Sequence, residues 1–197
     1  MKQFIKEWGP FILFLIALGL VRLFLIQPVS VDGHSMDPTL ADGERLIVLR
    51  TAKIDRFDIV VAKEKEGNKT KEIVKRVIGL PGDTITYKDD TLYVNGKKTS
   101  EPYLDKYQKA FDDDELQDIY SYNTLFQQLA ESSDAFTTAK DGSTEFTVKV
   151  PKNQYFLLGD DRIVSKDSRE VGSFKKSAIV GEVKFRFWPL SKIGGVN

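Results

Sequence analysis

Ser35 lies in VDGHSMDPTL (residues 31–40), between Gly33-His34 and Met36-Asp37-Pro38, where turn-forming residues would hold its hydroxyl at a sharp bend. A hydroxyl in such a place could attack a carbonyl if a base within hydrogen-bond reach took its proton. His34 is the single histidine of the chain and the immediate neighbour of Ser35. Adjacent side chains in extended backbone point to opposite faces, so this imidazole is badly placed to serve Oγ. With no second histidine, a Ser-His-Asp arrangement does not fit. His34 is expected to be an exposed polar residue in a turn, and its replacement by alanine is expected to be mild.

A lysine can replace histidine as base if it is neutral. At its reference pKa, the neutral amine at pH 7 costs about 4.6 kcal/mol, and apolar burial removes part of that cost. The segment KEIVKRVIGLPGD (71–83) offers such a site. Strand alternation puts Ile73, Lys75 and Val77 on one face and Val74, Arg76 and Ile78 on the other. Both faces are apolar apart from the charges, as in a strand covered on both sides. Periodicity leaves two roles for Lys75: a buried base, or a side chain that snorkels from an edge strand.

The elements that must position these residues are mostly β. Short stretches bounded by turn formers include LIVL (46–49), DIVVA (58–62), EIVKRVIG (72–79) and TLYVNGK (91–97), the last with an Asn-Gly turn. LPGD (80–83) reads as a turn. Strand character resumes at EFTVKV (145–150), QYFLLGD (154–160) and IVGEVKFRFWPL (179–190). In VKFRFWPL, Phe185 and Phe187 are expected to pack an aromatic face into the core. The alternative places Trp188 at a bilayer interface. Residues 98–145 differ, with the acidic cluster DDDEL (112–116) and a helix expected around Tyr120–Ala130. The division expected is 1–27, an N-terminal tip and membrane helix; 28–97 and 146–197, two parts of a β core; and 98–145, an inserted cap.

Residues 8–26, WGPFILFLIALGLVRLFLI, are apolar except for Arg22 and match the length of a bilayer core. Lys2 and Lys6 precede the run, which puts the N-terminus in the cytoplasm and the rest outside. A cleaved secretory leader would share these features, but no small-x-small site follows the run. An uncleaved anchor is expected. Acidic and basic residues number 29 each, so no basic field points to nucleic acid. The chain has no cysteine, which excludes thiol nucleophiles, disulfides and cysteine-ligated zinc. No metal or cofactor is expected.

Three segments in order, SMDPTL (35–40), KRVIGLPGD (75–83) and GDDRIVSKDSR (159–169), after an apolar N-terminal helix, resemble the boxes of bacterial type I signal peptidases. A single apolar span resembles the Gram-positive branch. The resemblance implies a plasma-membrane serine endopeptidase with a β catalytic core and a smaller inserted domain. Its substrates would be signal peptides of exported preproteins, with small residues at the first and third positions before the cut. The bilayer and the export machinery would be its partners. It implies Ser35 as nucleophile, Lys75 as general base, and Ser165 as the hydroxyl that positions the lysine amine. Asp160, Arg162, Asp167 and Arg169 would form an ion-pair network holding the loop that carries Ser165. The Ser35 N–H would help bind the oxyanion, and Met36 would line the substrate cleft or pack in the core. In the Gram-negative branch the residue two before the nucleophile is often a serine that also donates to the oxyanion. Gly33 stands there instead, either as a missing donor or because the backbone requires glycine. A self-cleaving Ser/Lys regulator and a non-catalytic membrane-anchored binding module are the other readings, and preprotein cleavage separates them.

Overall fold

The computed structural model describes residues 2–196, with the side chains of residues 2–5 and of residue 23 outside that description. Helix α1 (Lys2–Phe24) opens the chain. Pro10 lies inside α1, and every residue from 10 to 22 is exposed. No helix among the described residues is long and apolar enough to cross a membrane. The expected cytoplasmic charge of Lys2 lies outside the described side chains.

The β segments follow the expected order: β1 (Ile26–Ser30), β2 (Arg45–Leu49), β3 (Ile59–Glu66), β4 (Lys69–Gly79), β5 (Thr84–Lys88), β6 (Thr91–Val94) and β7 (Lys97–Thr99). Three helices come next, α2 (Asp105–Asp112), α3 (Leu116–Ile119) and α4 (Thr124–Ser132). The chain ends with β8 (Glu145–Lys149), β9 (Gln154–Leu158), α5 (Ser168–Val171), β10 (Phe174–Lys175), β11 (Ile179–Trp188) and β12 (Gly194–Gly195). Eight strands form one sheet in the order β1-β2-β11-β3-β4-β9-β10, with β12 pairing β11; a second sheet runs β7-β6-β5-β8. Every pairing is antiparallel.

Turn chemistry sets much of this register. Asn95 and Gly96 both have positive φ, 52° and 80°, which the two-residue link between β6 and β7 needs for its twist. Pro81-Gly82 makes the turn into β5, with Gly82 at φ 92° and Asp83 N–H donating to Leu80 O at 3.1 Å. β4 lies inside the sheet between β3 and β9, and its residues Lys75 to Gly79 are buried. That is the strand covered on both sides which the sequence predicted.

Two expectations shift. The helix expected around Tyr120–Ala130 begins at Thr124, because the Asn123 side chain accepts from the Leu125 and Phe126 N–H groups and starts a new helix there. Tyr120 instead ends α3. The aromatic face of β11 does not enter the core: Phe185 is 39% exposed and Phe187 is only half-buried. Register shifts between Val183 and Phe185 and between Arg186 and Trp188 break the two-residue period. Arg186 turns inward there and pairs with the buried Glu44 at 2.8 Å.

Candidate active site

Two overlapping turns make the bend that carries Ser35: Asp37 N–H donates to His34 O at 3.0 Å, and Leu40 N–H to Met36 O at 2.9 Å. Met36 and Leu40 hold the bend down in a core cluster with Leu46 and Val48. Met36 also lines the cleft above Ser35, so its two expected roles coincide. Gly33 enters the bend at φ 88°, and its N–H donates to Asp42 Oδ1 at 2.8 Å. A Cβ at Gly33 would meet nothing within 4 Å, so the backbone and not the space calls for glycine.

Lys75 arrives from β4, and its Nζ donates to Ser35 Oγ at 2.5 Å. Only 4% of Lys75 is exposed, so the snorkelling alternative does not hold. Burial pushes the amine down to about 8, partly opposed by the carboxylates of Asp167 and Glu64. Neutral lysine at pH 7 then costs about 1.4 kcal/mol. A cleft of about 290 Å³ opens over the pair, bordered by Gly33, His34, Met36, Val74, Phe126 and Val164. A hydroxyl next to a depressed amine in such a cleft can be deprotonated and attack a carbonyl.

The third segment packs directly under the bend. A Cβ on Gly159 would sit 2.3 Å from Ser35 O and 2.2 Å from Ser165 Oγ, so glycine is what lets the two segments touch. Ser165 is buried beside it, but its hydroxyl finds no hydrogen-bond partner among the described residues. The expected hydrogen bond from Ser165 to the lysine amine is not formed.

The four loop charges do not form one local network. Only Asp167 and Arg169 pair with each other, at 2.9 Å. Asp167 also accepts from Gly159 N–H at 3.0 Å, and Arg169 donates to the carbonyls of Thr138, Arg162 and Ser165. Asp160 and Arg162 reach outward, because each is fully enclosed and finds its counter-charge on another element. Asp160 accepts from Arg76 Nε at 2.8 Å and Nη2 at 2.6 Å, and from Thr39 Oγ1 at 2.6 Å. Arg162 donates to Glu101 at 2.7 Å and to the Tyr87 hydroxyl at 2.8 Å.

Asp161 was not among the expected site residues. Its N–H donates to Ser35 O at 3.2 Å, and its carboxylate accepts from the Tyr120 hydroxyl at 2.6 Å. Burial pushes this carboxyl up to about 7. The doubled acid in GDDR was the signal that could have found it. His34 also departs from expectation. Its Nδ1 lies 2.9 Å from Asp37 Oδ2, and its ring lies against Tyr122 and Phe126 from the segment around α4. It is not a free turn residue.

With this geometry in hand, similarity to known proteins is specific. A model of the family described as signal peptidase, peptidase S26, matches residues 5–188. Signal peptidase I of Streptococcus pneumoniae is 56% identical over 200 residues, covering 98% of this chain and 97% of that protein. Signal peptidase IB of Staphylococcus aureus is 40% identical over 197 residues, covering 98% and 94%. A crystal structure of a signal peptidase I from Enterococcus faecalis shares 31% identity at a TM-score of 0.48, covering 66% of this chain and 97% of that one.

Proposed function

Because this chain belongs to the signal peptidase, peptidase S26, family and is a hydrolase that cleaves signal peptides, we propose that it does so through a Ser35/Lys75 dyad. The observation that carries the proposal is the 2.5 Å contact from Lys75 Nζ to Ser35 Oγ inside a buried site. Neutral Lys75 takes the hydroxyl proton as Ser35 Oγ bonds to the scissile carbonyl carbon. The resulting lysinium then protonates the leaving amine as the C–N bond breaks. Water, deprotonated by the same amine, hydrolyses the acyl-enzyme. The Ser35 N–H is the oxyanion donor within this bend.

Helix α1 is the proposed single-pass anchor, with the catalytic β core outside the cytoplasm and the export machinery as neighbour. Support comes from its exposed apolar surface on every side from Phe11 to Leu20, which finds no cover among the described residues. Exposed Trp188 suits the interfacial role that was the alternative for this residue. Residues 98–145 are read as a cap on the β core.

Purified full-length chain in detergent should cut a preprotein at its signal sequence, with kcat/KM rising as pH increases through about 8. The sign follows from the base: below that pH Lys75 is charged and cannot accept a proton, and above it the amine is free. A pH–rate profile that peaks near 5 would exclude Lys75 as base.

Glycine at position 33 gives a second test. Gly33→Ala and Gly33→Ser should both lower kcat by about tenfold, since a Cβ at φ 88° strains the backbone by roughly 1–2 kcal/mol. If Gly33→Ser instead raised kcat while Gly33→Ala matched wild type, the missing side-chain donor would be the correct explanation.

A further inference from the structure

The nucleophile bend is held from two sides by one short segment, α3 to α4, that contributes neither Ser35 nor Lys75. On one side, Asp161 N–H donates to Ser35 O at 3.2 Å, and Asp161 is fixed by the Tyr120 hydroxyl at 2.6 Å. On the other, the His34 ring centroid lies 4.8 Å from that of Tyr122 and 6.0 Å from that of Phe126. Tyr120 and Phe126 are themselves in edge-to-face contact at 5.7 Å. The contacts therefore close a circuit: Ser35 to Asp161, to Tyr120, to Phe126, to His34, and back to Ser35 through the chain.

Two further observations tie the circuit to catalysis. His34 and Phe126 both line the cleft over the dyad, so the aromatic contact forms part of its wall. The circuit is also anchored where it must be rigid. Tyr120 is fully buried with Leu116, Tyr107 and Phe136 in the core of the helical segment. Asp37 Oδ2, 2.9 Å from His34 Nδ1, limits rotation of the imidazole. A hydroxyl that must stay within hydrogen-bond reach of one amine is sensitive to small displacements of its backbone.

We propose that His34 and Phe126 are positioning residues: through their ring contact the inserted helical segment clamps the Ser35 bend in register with Lys75. The proposal rests on the dyad reading above. It departs from the mild effect expected of an exposed turn residue at position 34. Neither ring takes part in bond making, so the clamp acts chiefly on the placement of Oγ, although both rings also border the cleft.

The test uses the full chain in detergent and a fluorogenic peptide with alanine at the first and third positions before the cut. His34→Ala and Phe126→Ala should each lower kcat by about tenfold, equal to about 1.4 kcal/mol, with KM within about twofold of wild type. Because both remove the His34–Phe126 contact, the double variant should lose clearly less than the product of the two single losses. His34→Phe, which restores a ring at a half-exposed position, should recover most of kcat. Thermal midpoints should show the His34 variants to be as stable as wild type, which separates positioning from unfolding. Wild-type kcat in both single variants, or losses that multiply in the double variant, would overturn the clamp. Cleavage that survives Ser35→Ala in an otherwise unchanged chain would overturn the dyad reading instead, so the two failures are told apart.

Discussion

Ser35→Ala and Lys75→Ala should each reduce preprotein cleavage by at least about 10³-fold, and the double variant should lose no more than the worse single one. The reason is the 2.5 Å contact between the two groups. Without the hydroxyl nothing attacks the carbonyl, and without the amine the hydroxyl keeps its proton at neutral pH. Members of one proton-transfer unit therefore fail together. Lys75→Met is the better control for packing, because it keeps an unbranched side chain at a site that is 4% exposed. Single-turnover rates on purified protein would decide the matter. If Lys75→Met kept more than about a tenth of wild-type turnover, the base would have to be another group.

The largest effect on stability should come from Asp160. Its carboxylate is fully buried and takes three hydrogen bonds, two from the buried Arg76 guanidinium and one from Thr39. Asp160→Ala leaves that guanidinium without its counter-charge, which costs about 3–5 kcal/mol. For a domain of this size the thermal midpoint should fall by roughly 6–20 °C. Paired replacement by apolar residues, Arg76→Met with Asp160→Leu, should recover much of the loss, since it removes both buried charges. The Arg76 guanidinium would still leave a gap over the Tyr103 ring, from whose centroid it lies 3.9 Å. Calorimetry or a circular-dichroism melt reads this directly. An Asp160→Ala protein melting with the wild type would mean that water already reaches the pair.

The pair also shows how β4 serves the site. Lys75 and Arg76 are adjacent, so the pleat sends them to opposite faces of a strand that is buried on both. One goes to Ser35 and the other to Asp160, next to the glycine that touches Ser35 O. A single strand thus fixes the lysine and the segment packed under the nucleophile.

Much of this was legible in the sequence because it depends on local chemistry. Alternation over 72–79 marked β4, the Asn-Gly and Pro-Gly pairs marked their turns, and turn formers around Ser35 marked its bend. Adjacency alone removed His34 as a base for Ser35, since that argument needs only the geometry of neighbouring residues. The order of the three motif segments carried the family. Other features depend on which segments meet, and periodicity does not encode that. Periodicity left Lys75 undecided between base and surface residue; burial by β3, β9 and the Ser35 bend settled its position. The charges of 160–169 look like a local network in sequence, yet Asp160 and Arg162 find their partners on Arg76 and Glu101, 84 and 61 residues away. Buried ions must take whichever counter-charge the fold delivers. In β11 two bulges turned the expected inner face outward, because a one-residue slip inverts every side chain beyond it. The sequence by itself determined which residues could do the chemistry and the strands that carry them. Only the tertiary structure decided their partners, since a hydrogen bond between distant residues exists only once packing has brought them within about 3 Å.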